Sequence, residues 1–101
     1  MRLTRDQQTA IRSAIDETFG EGTDVWLFGS RADDSKRGGD IDLLIKTSKN
    51  DVAEIVRSEI AFLARVKMKL GEQKIDLLVD YPERKNRPAI FEIAARTGVP
   101  L

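Results

Sequence analysis

Apolar residues recur along this chain at two periods, and the switches between them mark out six elements. Ala10, Ile11, Ala14, Ile15 and Phe19 fall at helical spacing, and Gly20 fits the stop. Thr4 and Gln7 ahead of them read as a capping box, hydroxyl to backbone N–H and side-chain amide reaching back. Asp24 to Phe28 is a short run rich in Val, Trp, Leu and Phe, read as a buried strand that ends at Gly29. Residues 29–39 hold three Gly and seven charged or hydroxyl side chains, which predicts a loop with room for one helical turn. In the strand Asp40 to Lys46, alternation puts Ile41, Leu43 and Ile45 on one face and Asp40, Asp42, Leu44 and Lys46 on the other.

A long helix follows, capped by Asn50 and ended by Gly71, with the stripe Val52, Ile55, Val56, Ile60, Leu63, Val66 and Leu70 as its core face. Lys74 to Asp80 forms the third strand, with Ile75, Leu77 and Val79 inward. A polar loop runs to Arg87, and Pro88 opens a short helix carrying Ile90, Ile93 and Ala94 that stops at Gly98. The order is α-β-β-α-β-α. It predicts an α/β (α+β) domain with a small mixed sheet and helices packed on one face. The helical connection lets strands two and three run parallel, and the loop lets strands one and two run antiparallel.

Length and composition then narrow the classes. One hundred and one residues make a single domain spanning 1–101. Seventeen basic and seventeen acidic residues cancel, so no net field draws the chain to nucleic acid or to an anionic membrane. With no Cys there is no disulfide, thiolate or Cys-based zinc chemistry, and with no His the Ser-His-Asp and Cys-His mechanisms are excluded. Catalysis, if present, runs on carboxylates, Lys, Arg, hydroxyls or metal ions. The N-terminus is polar where a signal peptide is apolar, and no apolar run nears the roughly 18 residues of a membrane span. The expected location is the cytoplasm.

The acids carry the chemistry. Asp40 and Asp42 lie two apart on one strand, so their side chains leave the same face with Cα atoms about 6.6 Å apart. Carboxylates brought to about 4 Å repel by about 4 kcal/mol at an effective dielectric of about 20, and a cation offsets that cost. Oxygen donors without His or Cys select hard ions, so Mg²⁺ or Mn²⁺ is expected over zinc. Asp76 joins them if strand three pairs beside strand two. Gly29 lets backbone N–H groups approach an anion, Ser30 adds a hydroxyl donor, and Arg31, Lys36 and Arg37 can neutralise phosphate oxygens. Each residue also has a plainer reading: solvent-facing strand acids, an ordinary tight turn, solvated loop charges, and for Asp76 a strand-end charge paired with Lys74. Trp26 and Phe28 read as packing, the run Arg65, Lys67 and Lys69 as a solvated helix face, and residues 83–87 as a mobile polar loop.

Taken together, FGSRADDSKRGGDIDLLI resembles the signature of the DNA polymerase beta-like nucleotidyltransferase superfamily, in its small stand-alone form. That signature is Gly-Ser, a loop of about ten residues, Asp-x-Asp, and a third acid on a later strand. Family loops often carry Ala-Arg-Gly after Gly-Ser-x, where this chain has Arg31-Ala32-Asp33-Asp34. The resemblance implies that Gly29 and Ser30, with Arg31 and Gly39, hold the triphosphate of a nucleotide such as ATP. It implies that Asp40, Asp42 and Asp76 are the catalytic carboxylates and bind two Mg²⁺ ions, with Mn²⁺ as a substitute. The implied reaction is attack by an acceptor hydroxyl on the α-phosphorus of a nucleoside triphosphate, expelling pyrophosphate. An acceptor-binding segment is not evident, so the acceptor is expected to be small or held by a second chain. The alternative is an antitoxin-type binding module that neutralises a helical HEPN-type ribonuclease toxin. A homo-oligomer stays open.

Overall fold

The computed structural model describes residues 3–33 and 39–101. Helix α1 (Arg5–Thr18) opens with the expected capping box: Thr4 Oγ1 accepts from Gln7 N at 3.0 Å, and Gln7 Oε1 accepts from Thr4 N at 2.9 Å. Strand β1 (Asp24–Phe28) runs into one 3₁₀ turn over Gly29–Ala32, and β2 (Ile41–Lys46) follows. Helix α2 (Val52–Leu70), strand β3 (Ile75–Asp80), helix α3 (Ala89–Thr97) and a short strand β4 (Val99–Pro100) complete the chain. The strands form one sheet in the order β3-β2-β1-β4. β1 pairs antiparallel with β2, and β2 pairs parallel with β3, as the connections require.

One face of the sheet makes the larger core. Leu27, Ile41, Leu43 and Ile45 meet Ile11 and Ile15 of α1 and Ile55, Phe62 and Val66 of α2. The two helices lie side by side, joined by Arg65 Nη1 to Glu17 Oε2 at 2.6 Å and Lys69 Nζ to Glu17 Oε1 at 3.6 Å. Two members of that basic run therefore serve a helix seam, and Lys67 reaches Glu72 at 3.1 Å.

The third helix departs from the expectation that all helices share one face. Phe91 and Ala94 of α3 pack on Phe28 and Leu44, with Trp26 and Leu78 alongside, on the opposite face from α1 and α2. The reason lies in β1 and β2, whose second face carries Trp26, Phe28 and Leu44. Left in water, that face would forfeit about 1.5–3 kcal/mol for each large side chain. α3 covers it over part of its length and leaves the acids uncovered.

Strand β4 lies outside the sequence reading. It is two residues long and pairs Val99 with Leu27 and Pro100 with Trp26. Pro is tolerated there because an edge strand needs no outward N–H. The bend into it requires glycine at 98: a Cβ there would fall 2.6 Å from Ala94 O and 2.9 Å from Trp26 Cβ.

Helix α2 corrects two further expectations. Its N-cap is Asp51, whose Oδ1 accepts from Ala53 N at 3.0 Å and Glu54 N at 3.3 Å. Asn50 instead accepts from Glu83 N at 3.1 Å, tying down the loop after β3. The core stripe is rotated: Ile55, Ser58, Phe62 and Val66 are buried, whereas Val52, Val56, Ile60 and Leu63 are exposed. Residues 83–87 are also anchored rather than loose. Arg84 stacks 4.5 Å from the Phe91 ring centre and donates to Asn86 O, while Arg87 pairs with Asp80 at 2.8 Å.

Candidate active site

The strand register assembles the site. Phe28 faces Asp42 across the β1–β2 pair, and Asp42 faces Asp76 across the β2–β3 pair. Neighbouring strands lie about 4.8 Å apart, so the two carboxyls stand side by side on one face. The charge of Asp76 therefore acts directly on Asp42. Burial, then the charges of Asp76 and Asp40, push the Asp42 carboxyl above the usual carboxylate range, with Lys74 opposing.

Asp40 reaches this group through its charge, but its Oδ2 pairs with Lys74 Nζ at 3.5 Å. The lysine considered as a partner for Asp76 thus neutralises Asp40 instead. Among the described residues, no group of three or more Asp or Glu side chains is gathered as metal ligands. The donor set still fits a hard cation. Asp42 and Asp76 offer oxygen atoms alone, and a cation between them would offset the repulsion that raises the Asp42 carboxyl.

Gly29 makes the close approach possible. Its φ is +73°, a value L side chains rarely adopt, and a Cβ there would overlap Asp42 Oδ2 and lie 3.2 Å from its Cγ. The turn after β1 and the carboxylate of β2 therefore interlock. Ser30 lines the same cavity, and Asp33 N donates back to Ser30 O at 3.3 Å to close the 3₁₀ turn. Arg31 Nη2 donates to Gly39 O at 3.0 Å, and Gln73 Nε2 donates to the same oxygen at 2.6 Å. Both ends of the loop are thereby fixed to each other and to the approach to β3. A Cβ at Gly39 would meet nothing within 4 Å, so its part here is played by its carbonyl. Gln73 was not anticipated; no pattern in the sequence singles out one polar loop residue. Lys36 and Arg37 lie outside the described residues.

A cavity of about 610 Å³ opens at this end of the sheet. It is lined by Gly29, Ser30, Ala32 and Asp33 of the turn, by Phe28, Asp42, Asp76 and Leu78 of the sheet, and by Ile90, Ile93 and Thr97 of α3. Ile90 and Ile93 are two of the three apolar residues that mark this short helix in the sequence. Helix α3 buries Phe91 and Ala94 and turns Ile90 and Ile93 to the cavity. Trp26 packs beneath α3, with Lys46 Nζ 5.4 Å from its ring centre, and does not line the cavity. Asp80 bonds to Arg87 away from the acids. Among the described residues no helix is long and apolar enough to cross a membrane.

The comparisons with known proteins accord with this geometry. The family described as "Nucleotidyltransferase domain" matches residues 9–97, nearly the whole chain. No curated protein matches the sequence significantly.

Proposed function

Because this chain belongs to the nucleotidyltransferase domain family, we propose that it moves a nucleoside monophosphate from a nucleoside triphosphate to an acceptor hydroxyl, using Asp40, Asp42 and Asp76. The observation that carries the reading is the register that sets Asp42 beside Asp76 on adjacent strands, both lining one cavity with the Gly29–Ser30 turn. Nucleotidyl transfer needs positive charge on the phosphate oxygens, and carboxylates can stand beside a triphosphate only with a cation between them. Divalent ions, Mg²⁺ first, supply that neutralisation when bound and lower the pKa of the attacking hydroxyl.

The chain's own residues have distinct parts. Asp42, partly buried and centred between its neighbours, anchors the cation site. Asp76 is exposed on the outer strand, where it can accept the acceptor's proton. Asp40 is held by Lys74 until a stronger cation competes for it. Gly29 and Ser30 offer a backbone N–H and a hydroxyl to the triphosphate. Arg31 and Gly39 hold the loop ends together, which keeps that turn in register with Asp42.

The test combines binding and labelling. With Mg²⁺, the wild type should bind ATP and pass α-phosphate label to an acceptor supplied by a partner protein. Asp40→Ala plus Asp42→Ala should abolish both. A double variant that still labels would overturn the assignment.

A second reading rests on the exposed Val52, Val56, Ile60 and Leu63 of α2. An apolar face of this kind suits a protein partner. In that reading the chain neutralises a HEPN-type ribonuclease by binding it, and the acid double variant still protects. Protection that disappears with the acids favours transfer.

A further inference from the structure

Helix α3 exposes two large apolar side chains beside the acids rather than burying them. Ile90 and Ile93 are 41% and 44% exposed, one helical turn apart, and both line the cavity that holds Asp42 and Asp76. Phe91 and Ala94 already attach the helix to the sheet, so the isoleucines are not needed for that contact. With Leu78 and Phe28 they form an apolar ledge in the same cavity as the Gly29–Ser30 turn. The remaining α3 residue on the cavity wall is Thr97, whose hydroxyl donates to Ile93 O at 2.7 Å. The proton of that hydroxyl is committed, so among the described residues the α3 part of the lining carries apolar contact and no free side-chain donor.

We propose that Ile90 and Ile93 hold the nucleobase of the donor nucleotide by flat apolar contact, and that the site therefore ranks bases by ring size without reading their edges. The inference rests on the nucleotidyl-transfer reading above. A triphosphate seated at Gly29 and the acids must leave its base somewhere in the same cavity. A volume of about 610 Å³ suits one ligand of nucleotide size rather than two. Apolar contact is sequence-tolerant because every base presents a π-face, and it grows with ring area. A wall without donors cannot impose the large discrimination that comes from leaving buried polar groups unpaired.

The experiment is calorimetric titration of the full chain with ATP, GTP, CTP, UTP and inorganic tripolyphosphate, each with Mg²⁺. Wild type should bind ATP and GTP within about threefold of each other, both about tenfold tighter than tripolyphosphate, with CTP and UTP between. That spacing matches base–aromatic stacking scaled down for aliphatic partners. Ile93→Ser and Ile90→Ser should each bring ATP toward the tripolyphosphate value and leave tripolyphosphate binding unchanged. Ile60→Ser, at an exposed isoleucine on α2, should change neither, and melting curves establish that all three variants are folded.

Three results overturn the proposal while leaving nucleotidyl transfer standing: ATP and tripolyphosphate binding equally in wild type, a preference beyond a hundredfold between ATP and GTP, or ATP affinity unchanged in both ledge variants. Absence of any Mg²⁺-dependent binding, tripolyphosphate included, instead overturns the transferase reading on which the proposal rests.

Discussion

The tightest constraint at the scale of single residues is the fit of Gly29 against Asp42. Gly29→Ala meets both a positive φ of +73° and the Asp42 carboxylate. The left-handed conformation alone costs a non-glycine residue about 1–2 kcal/mol. Gly29→Ala should therefore lose about 2–3 kcal/mol in denaturant titration and weaken Mg²⁺–ATP binding at least tenfold. Gly22→Ala is the control: its φ is +81° with nothing within 4 Å of the added carbon. It should cost about 1 kcal/mol and leave binding intact. Equal binding losses in the two variants would remove Gly29 from the site.

Asp42 adds a pH dependence whose sign is set by burial and its acidic neighbours. Its carboxyl titrates above the ordinary value in the folded chain. The folded state then holds that proton more tightly than the unfolded state does. The metal-free protein gains stability from this group as pH falls through the raised value, and the gain is complete near the unfolded value of about 3.9. Metal-free Asp42→Asn should accordingly melt higher than wild type at neutral pH, with the gap closing on acidification. Mg²⁺ competes with the same proton, so its affinity for wild type should fall over that same interval. A gap that widens toward acid would refute the assignment. The acids were legible in the sequence because a strand's two-residue period fixes which side chains share a face. The partner of Lys74 was not, since that depends on how far beyond the strand Asp40 lies.

Among the elements, α2 shows what periodicity can and cannot determine. Its length, its stop at Gly71 and its helical period all follow from spacing. The buried face does not, because apolar residues cover well over a third of its circumference and either side could meet the sheet. Phe62, absent from the expected stripe, is fully buried, whereas Ile60, inside it, is 65% exposed. The two positions test the observed rotation directly. Phe62→Ala should cost about 3–5 kcal/mol, and Ile60→Ala less than about 0.5 kcal/mol, both by chemical denaturation. A large loss at Ile60 would mean that a partner or second copy covers that face in solution. The capping box of α1 was readable for the opposite reason, being complete within four residues. Strand β4 was not, since two residues have no period.

The whole molecule places its candidate site between two layers held by separate cores. α1 and α2 fix one face of the sheet and with it the register that aligns Phe28, Asp42 and Asp76. α3 is fixed on the other face by a much smaller set of buried residues, Phe28, Leu44, Phe91 and Ala94. The acids and the isoleucines of α3 that share their cavity therefore answer to different contacts. Phe91→Ala separates the two. Losing a buried aromatic ring should cost about 3–5 kcal/mol in a single-transition measurement. It also removes the ring on which Arg84 stacks at 4.5 Å, so the loop from β3 into α3 loses an anchor. Phe91 lies outside the cavity wall, yet its loss should let Ile90 and Ile93 shift relative to Asp42. The variant, measured where it remains folded, should keep wild-type affinity for Mg²⁺–tripolyphosphate and bind Mg²⁺–ATP several-fold more weakly. Loss of both affinities would show that the acids depend on α3 after all, and that the sheet register alone does not hold them.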